Sequence, residues 1–249
     1  MKKPLPSRLM PLTPCDKKLL HMSLLTVEDL QKSFASPRGQ LTAVLDVPSF
    51  TLNHKEQVAF RGASGSGKTT FLHLLAGVLP ADSGKISFDG HSLHSMKESS
   101  RDQLRAAKIG YVFQSFNLLN GFTCLENILL AMNLNGSSNR SWAFTLLEAV
   151  GLLEFKDYLP RQLSIGQQQR IGIARALVNR PKLVLADEPT GNLDPANTDL
   201  CLGMLCSLCQ EWGSSLILVS HDPRVIGQFE KSIVWEDLNQ VTQSSLTRA

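Results

Sequence analysis

The 249-residue sequence is poor in the features that anchor or staple a chain. No apolar run reaches the roughly 18 residues a membrane-spanning helix needs. The longest apolar stretches, at 71–79 and 200–209, are broken by His73, Gly203 and Ser207. The opening Met-Lys-Lys is not followed by the apolar core of a secretory signal. Five cysteines, odd in number and scattered, make no disulfide framework and fit free thiols of a reducing compartment. Cys201, Cys206 and Cys209 have the spacing of an iron–sulfur motif, but no fourth cysteine follows. They fall in a leucine-rich helical stretch and read as packing residues. Net charge is 25 − 22 = +3, which gives no ground for a nucleic-acid partner. An apolar fraction of 43% against 19% charged residues excludes disorder.

Residues 1–22 hold four prolines and five basic residues against Asp16, and read as a flexible basic tail. Residues 23–249 read as one domain. Strands are expected at 57–60, 85–88, 109–113, 183–186, 215–219 and 233–235. Helices are expected at 68–76, 125–134, 141–150, 166–178 and 195–212, with Pro195 suited to a first turn. Strands interleaved with helices predict an α/β fold with a largely parallel sheet. Residues 115–163 are strand-poor and read as an inserted helical subdomain, with 135–139 as its flexible joint.

Gly62, Ala63, Ser64, Gly65, Ser66, Gly67, Lys68 and Thr69 form G-x-x-x-x-G-K-[ST] between an expected strand and an expected helix, the context a phosphate-binding loop requires. Small residues let successive N–H groups converge on an anion, and the helix N-terminus adds positive potential. Lys68 would reach the β- and γ-phosphates of a nucleotide, and the Thr69 hydroxyl would hold Mg²⁺. Thr70 completes the nucleotide-binding set. The apolar strand at 183–186 ends in Asp187 and Glu188. An aspartate there can hold the metal's hydration shell, and the adjacent glutamate can accept a proton from attacking water.

Further residues carry a family resemblance. Leu163-Ser164-Ile165-Gly166-Gln167 resembles the signature motif of ATP-binding cassette (ABC) transporter ATPases. Gln114 resembles their Q-loop glutamine, Asn192-Leu193-Asp194 their D-loop, and His221 their switch histidine. The motifs run in the family's order from Phe34 to His221. The stretches 113–119, 167–170 and 186–194 are similar to the lipoprotein-releasing, macrolide-exporter and cell-division branch. Two positions depart from the pattern: Ile165 replaces a glycine, and Phe34 stands where a tyrosine commonly stacks on adenine. Stacking and core packing are both open to Phe34.

The resemblance implies a P-loop NTPase fold with a RecA-like parallel core, an antiparallel β subdomain and the helical insertion. It implies a homodimer with each ATP between the cradle of one subunit and Ser164, Gly166 and Gln167 of the other, Asp194 nearby. Gln114 would sense γ-phosphate and metal, and His221 would orient Glu188. A membrane-spanning permease subunit is the implied partner, placing the chain peripherally on the cytoplasmic face of the inner membrane. Phe116, Leu118, Leu119, Phe122 and Leu125 would either line a groove for a short helix of that partner or pack internally. Transport of a substrate, and transmission of conformational change to cell-envelope enzymes without transport, are both consistent with the motifs.

Overall fold

The computed structural model describes residues 23–36 and 39–241. The expected tail at 1–22, with Cys15, lies outside the described residues. Two strands, β1 (Ser23–Ala35) and β2 (Leu41–Asn53), pair antiparallel from Ser23 opposite Asn53 to Ala35 opposite Leu41. With β4 (Ser83–Phe88) and β5 (His91–Ser92) they form a sheet ordered β2-β1-β4-β5. The second sheet contains β3 (Gln57–Arg61), β6 (Ile109–Val112), β7 (Leu183–Asp187), β8 (Ser215–Ser220) and β9 (Ser232–Val234). Its order is β6-β7-β8-β3-β9, and its pairings are parallel. The helices are α1 (Lys68–Leu75), α2 (Glu98–Lys108), α3 (Cys124–Leu134), α4 (Arg140–Ala149), α5 (Ile165–Leu177), α6 (Pro195–Trp212), α7 (Pro223–Ile226) and α8 (Trp235–Leu238).

The central strands are apolar throughout because both sheet faces are covered. Side-chain alternation sorts β7 and β8 between two cores. Val184, Ala186, Leu216 and Leu218 join the core filled by α3, α4, α5 and α6. Leu183, Leu185, Ile217 and Val219 join the core shared with the antiparallel sheet, α1 and Trp235. This sandwiching presents the carboxyl ends of the parallel strands together, the usual ligand edge of an open α/β sheet.

Cys201 and Cys209 are buried in α6, Cys206 half-buried, and all three are free thiols, as packing residues should be. Several elements differ from expectation, and β1, β2 and β5 were not among the expected strands. The strand expected at 233–235 ends at Val234, because Trp235 turns inward and opens α8 against Phe60 and Phe71, ring centroids 5.8 and 5.3 Å away. Helix α2 was not expected from sequence: Leu104 is its one buried residue, so it carries no apolar stripe to read. Between β6 and α5 the chain is helical, through α3, α4 and two 3₁₀ turns. Among the described residues no helix is long and apolar enough to cross a membrane.

Candidate active site

The phosphate cradle is the turn from β3 into α1. Gly67 has φ 99°, and a Cβ there would meet the Val44 carbonyl at 2.9 Å, so the loop closes this tightly only with glycine. Lys68 is buried, and its Nζ donates to the carbonyls of Gly62 (2.8 Å) and Ala63 (2.6 Å). Burial draws its pKa down, against the opposing pull of Glu188, Glu236 and Asp187. The Lys68 Nζ thus sits inside the loop, satisfied by carbonyls that a phosphate oxygen can replace.

Across the cradle, the Thr69 hydroxyl donates to Asp187 Oδ1 at 3.1 Å, and Tyr111 Oη lies 3.5 Å from Oδ2. Burial, with Glu188 adding to it, holds the Asp187 pKa above the ordinary value. Glu188 follows β7 with φ 44°, the left-handed region, and its N–H donates to the Val219 carbonyl at 3.0 Å. That backbone turn aims the carboxylate at His221, whose Nδ1 is 2.8 Å from Glu188 Oε1. Asn192 Nδ2 donates to the Gln114 carbonyl at 3.0 Å. A cavity of about 210 Å³ is lined by Ser64, Gly65 and the run from Gly67 to Thr70 of the cradle together with Gln114, Asp187 and Glu188. Residues expected from five separate stretches of sequence therefore meet at one edge of the parallel sheet.

Other candidates stand elsewhere. Ser164 caps α5: its Oγ accepts from the Gln167 N–H (3.2 Å), and Gln167 Oε1 accepts from the Ser164 N–H (2.8 Å). Gly166 lies against Asn197, since a Cβ there would be 2.6 Å from Asn197 Oδ1. Asn197 Nδ2 in turn donates to Asp194 Oδ2 at 2.6 Å. Signature residues and Asp194 thus form one unit, and none of them is among the residues lining the cradle cavity. Ile165 is 53% exposed beside them. Phe34 is 42% exposed with Lys32 Nζ 5.6 Å from its ring centre, so core packing does not account for it.

Sequence reasoning missed four contributors. Tyr111 reaches Asp187 because β6 is the sheet neighbour of β7, with Tyr111 opposite Leu185. From the chain's other end, Trp235 Nε1 donates to the Ser66 carbonyl (2.7 Å), Asn239 Nδ2 approaches the same oxygen (3.4 Å), and Glu236 Oε1 accepts from the Ala63 N–H (3.3 Å). No local pattern signals contacts across some 170 residues.

The five apolar residues after Gln114 divide. Leu125 is buried and Leu118 packs against the same core, whereas Leu119 and Phe122 are exposed. A second cavity, about 600 Å³, is lined by Leu119, Leu130, Leu134, Ala106 and Tyr111. Leu119 alone of the five contributes to it.

A strand–cradle–helix turn facing a strand-borne acidic pair defines a P-loop nucleotide hydrolase. Residues 45–191 match the family model described as ABC transporter. The chain is 40% identical over 205 residues to the lipoprotein-releasing system ATP-binding protein LolD of Treponema denticola, covering 81% of this chain and 90% of that protein. It is 41% identical over 214 residues to the uncharacterized ABC transporter ATP-binding protein YbbA of Escherichia coli K12, covering 85% and 93%. Among solved structures, the dimeric bacterial ABC transporter cassette MJ0796 matches with a TM-score of 0.78 at 31% identity, covering 84% of this chain and 93% of that one. The post-hydrolysis MJ0796 dimer bound to ADP and Pi matches with a TM-score of 0.76 at 32% identity. The chain belongs to the ABC transporter family, as an ATP-binding subunit that hydrolyses ATP.

Proposed function

We propose that this subunit works as a homodimer that closes around two magnesium–ATP molecules and drives a membrane-spanning permease in lipoprotein release or export. The observation that carries the reading is the division of the site: cradle, Asp187, Glu188 and His221 together, and Ser164, Gly166, Gln167 and Asp194 apart. A catalytic set split in this way is completed by a second copy, so hydrolysis depends on closure. The dimeric MJ0796 cassette and the LolD relatives support it.

The donor set fits the metal. Thr69 and Asp187 offer hard oxygens 3.1 Å apart, the kind Mg²⁺ accepts, with Gln114 on the same cavity. Bound there, Mg²⁺ would supply charge neutralisation between the β- and γ-phosphates. Lys68 would leave its carbonyl partners for phosphate oxygens. Glu188 would take a proton from the water attacking the γ-phosphorus as the bond to ADP breaks, and His221 would hold the carboxylate in line. Phe34 would stack on adenine, the cradle from Gly62 to Thr70 would hold the phosphates, and the signature residues would close over them in trans. The subunit would sit peripherally at the cytoplasmic face of the inner membrane, its 600 Å³ groove receiving a short helix of the permease.

Glu188→Gln tests this. It should abolish turnover and leave an ATP-dependent dimer on size-exclusion chromatography. Normal hydrolysis by the variant would remove Glu188 as the base, and a monomer with saturating ATP would count against closure.

A further inference from the structure

The backbone just past Gln114 adopts a conformation its side chains disfavour. Phe116 and Asn117 both lie in the left-handed region, with φ 57° and 48°. Asparagine tolerates that region, but a bulky aromatic residue rarely enters it. Such residues persist where their surroundings over-determine them. The restraint here is Arg175 of α5. Its Nη2 donates to the Phe116 carbonyl at 2.6 Å and its Nη1 to the Asn117 carbonyl at 2.5 Å, a fork matched to two successive oxygens. Burial draws the guanidinium pKa below its ordinary value.

The same loop is tied at both ends. Upstream, Asn192 Nδ2 holds the Gln114 carbonyl. Downstream, the buried Asn127 of α3 accepts from the Leu119 N–H at 2.8 Å and donates to the Phe122 carbonyl at 3.0 Å. Loop 114–122 therefore connects three bodies: the segment after Glu188, helix α5 and helix α3. Helix α5 begins at the signature residues, and Arg175 lies about three turns along it. Arg175 also lines the groove next to Leu119.

We propose that Arg175 is a positioning residue for hydrolysis: its fork on the Phe116 and Asn117 carbonyls sets where Gln114 enters the cradle cavity and where Leu119 stands on the groove. Any shift of α5 is then delivered to Gln114 and to the groove through one loop. The inference rests on the ATPase reading of the site and deepens it.

Arg175→Met removes both donors and keeps an extended apolar side chain; Arg175→Lys keeps the charge and loses the fork. Arg175→Met should lower kcat about tenfold while ATP affinity stays within about twofold, a loss of positioning and not of binding. Amide exchange over 116–119 should quicken about tenfold, with Arg175→Lys between the two. In the Arg175→Met background, Phe116→Gly should recover about threefold more kcat than Phe116→Ala, since only glycine takes the left-handed conformation without strain. Wild-type kcat and exchange in Arg175→Met would overturn the proposal. So would an equal loss of ATP affinity and kcat, or identical behaviour of the Gly and Ala variants. If Arg175→Met does not fold, Arg175→Lys decides: wild-type exchange over 116–119 in that variant overturns the proposal. An absence of ATPase activity in the wild-type chain would sink the hydrolase reading, while exchange over 116–119 would still judge the Arg175 fork.

Discussion

Asp187 is placed where stability and chemistry conflict. A carboxylate at the end of an apolar strand, largely taken out of water, is held above its ordinary pKa by burial and by Glu188. A raised carboxyl pKa means the fold favours the protonated form, so this group's contribution to stability is full below its ordinary value near 3.8 and is lost as pH rises through the shifted one. Asparagine can still accept from Thr69 and carries no charge to desolvate. Asp187→Asn should therefore melt a few degrees higher than wild type at pH 7 without nucleotide, and the gap should close toward pH 4. The same variant should lose ATP hydrolysis. An unchanged melting temperature at pH 7 would show that burial costs the apo protein nothing there. Lys68 meets a similar conflict, since burial draws its pKa down, while Gly62 and Ala63 offer it carbonyls within the loop.

Single elements bring distant chemistry to the cradle. Helix α8 is short, yet it delivers Trp235 to the Ser66 carbonyl and Glu236 to the Ala63 N–H. Trp235→Phe keeps the aromatic packing on Phe60 and Phe71 but removes the indole donor. One neutral hydrogen bond is worth about 0.5–1.5 kcal/mol, so ATP affinity should fall about threefold to tenfold in a nucleotide titration. Unaltered affinity would show that Asn239 holds Ser66 unaided. Helix α3 forms one wall of the groove, and its start is a reciprocal cap: Thr123 Oγ1 accepts from the Glu126 N–H at 3.2 Å and Glu126 Oε2 from the Thr123 N–H at 2.7 Å. Thr123→Ala should cost about 1 kcal/mol in denaturant melts. It should leave the phosphate cradle intact, because α3 does not line that cavity.

For the molecule as a whole, the two sheets and the helical insertion hold the cradle and the groove apart. The cradle cavity and the groove are distinct, and loop 114–122 runs between them. Leu119→Ser with Leu134→Ser should abolish co-purification with the permease while the isolated subunit keeps its hydrolysis rate. Retained co-purification would move docking off the groove. Much of this was legible in the sequence. The cradle, the acidic pair and the central strands announce themselves locally, because converging N–H groups need glycines in a row and a strand covered on both faces must be apolar throughout. Phe34, Ser164, Gly166 and Asp194 were likewise readable as motif members, and the resemblance already implied that Ser164 and Gly166 face the cradle of a second copy. What only the tertiary structure decided were the long-range pairings: Tyr111 with Asp187 through strand order, Trp235 with Ser66 through the turn at Val234, and Arg175 with Phe116 across 59 residues. Periodicity reports which face of an element is buried. It carries no record of which elements become neighbours, because that choice is made by the packing of two cores against one sheet.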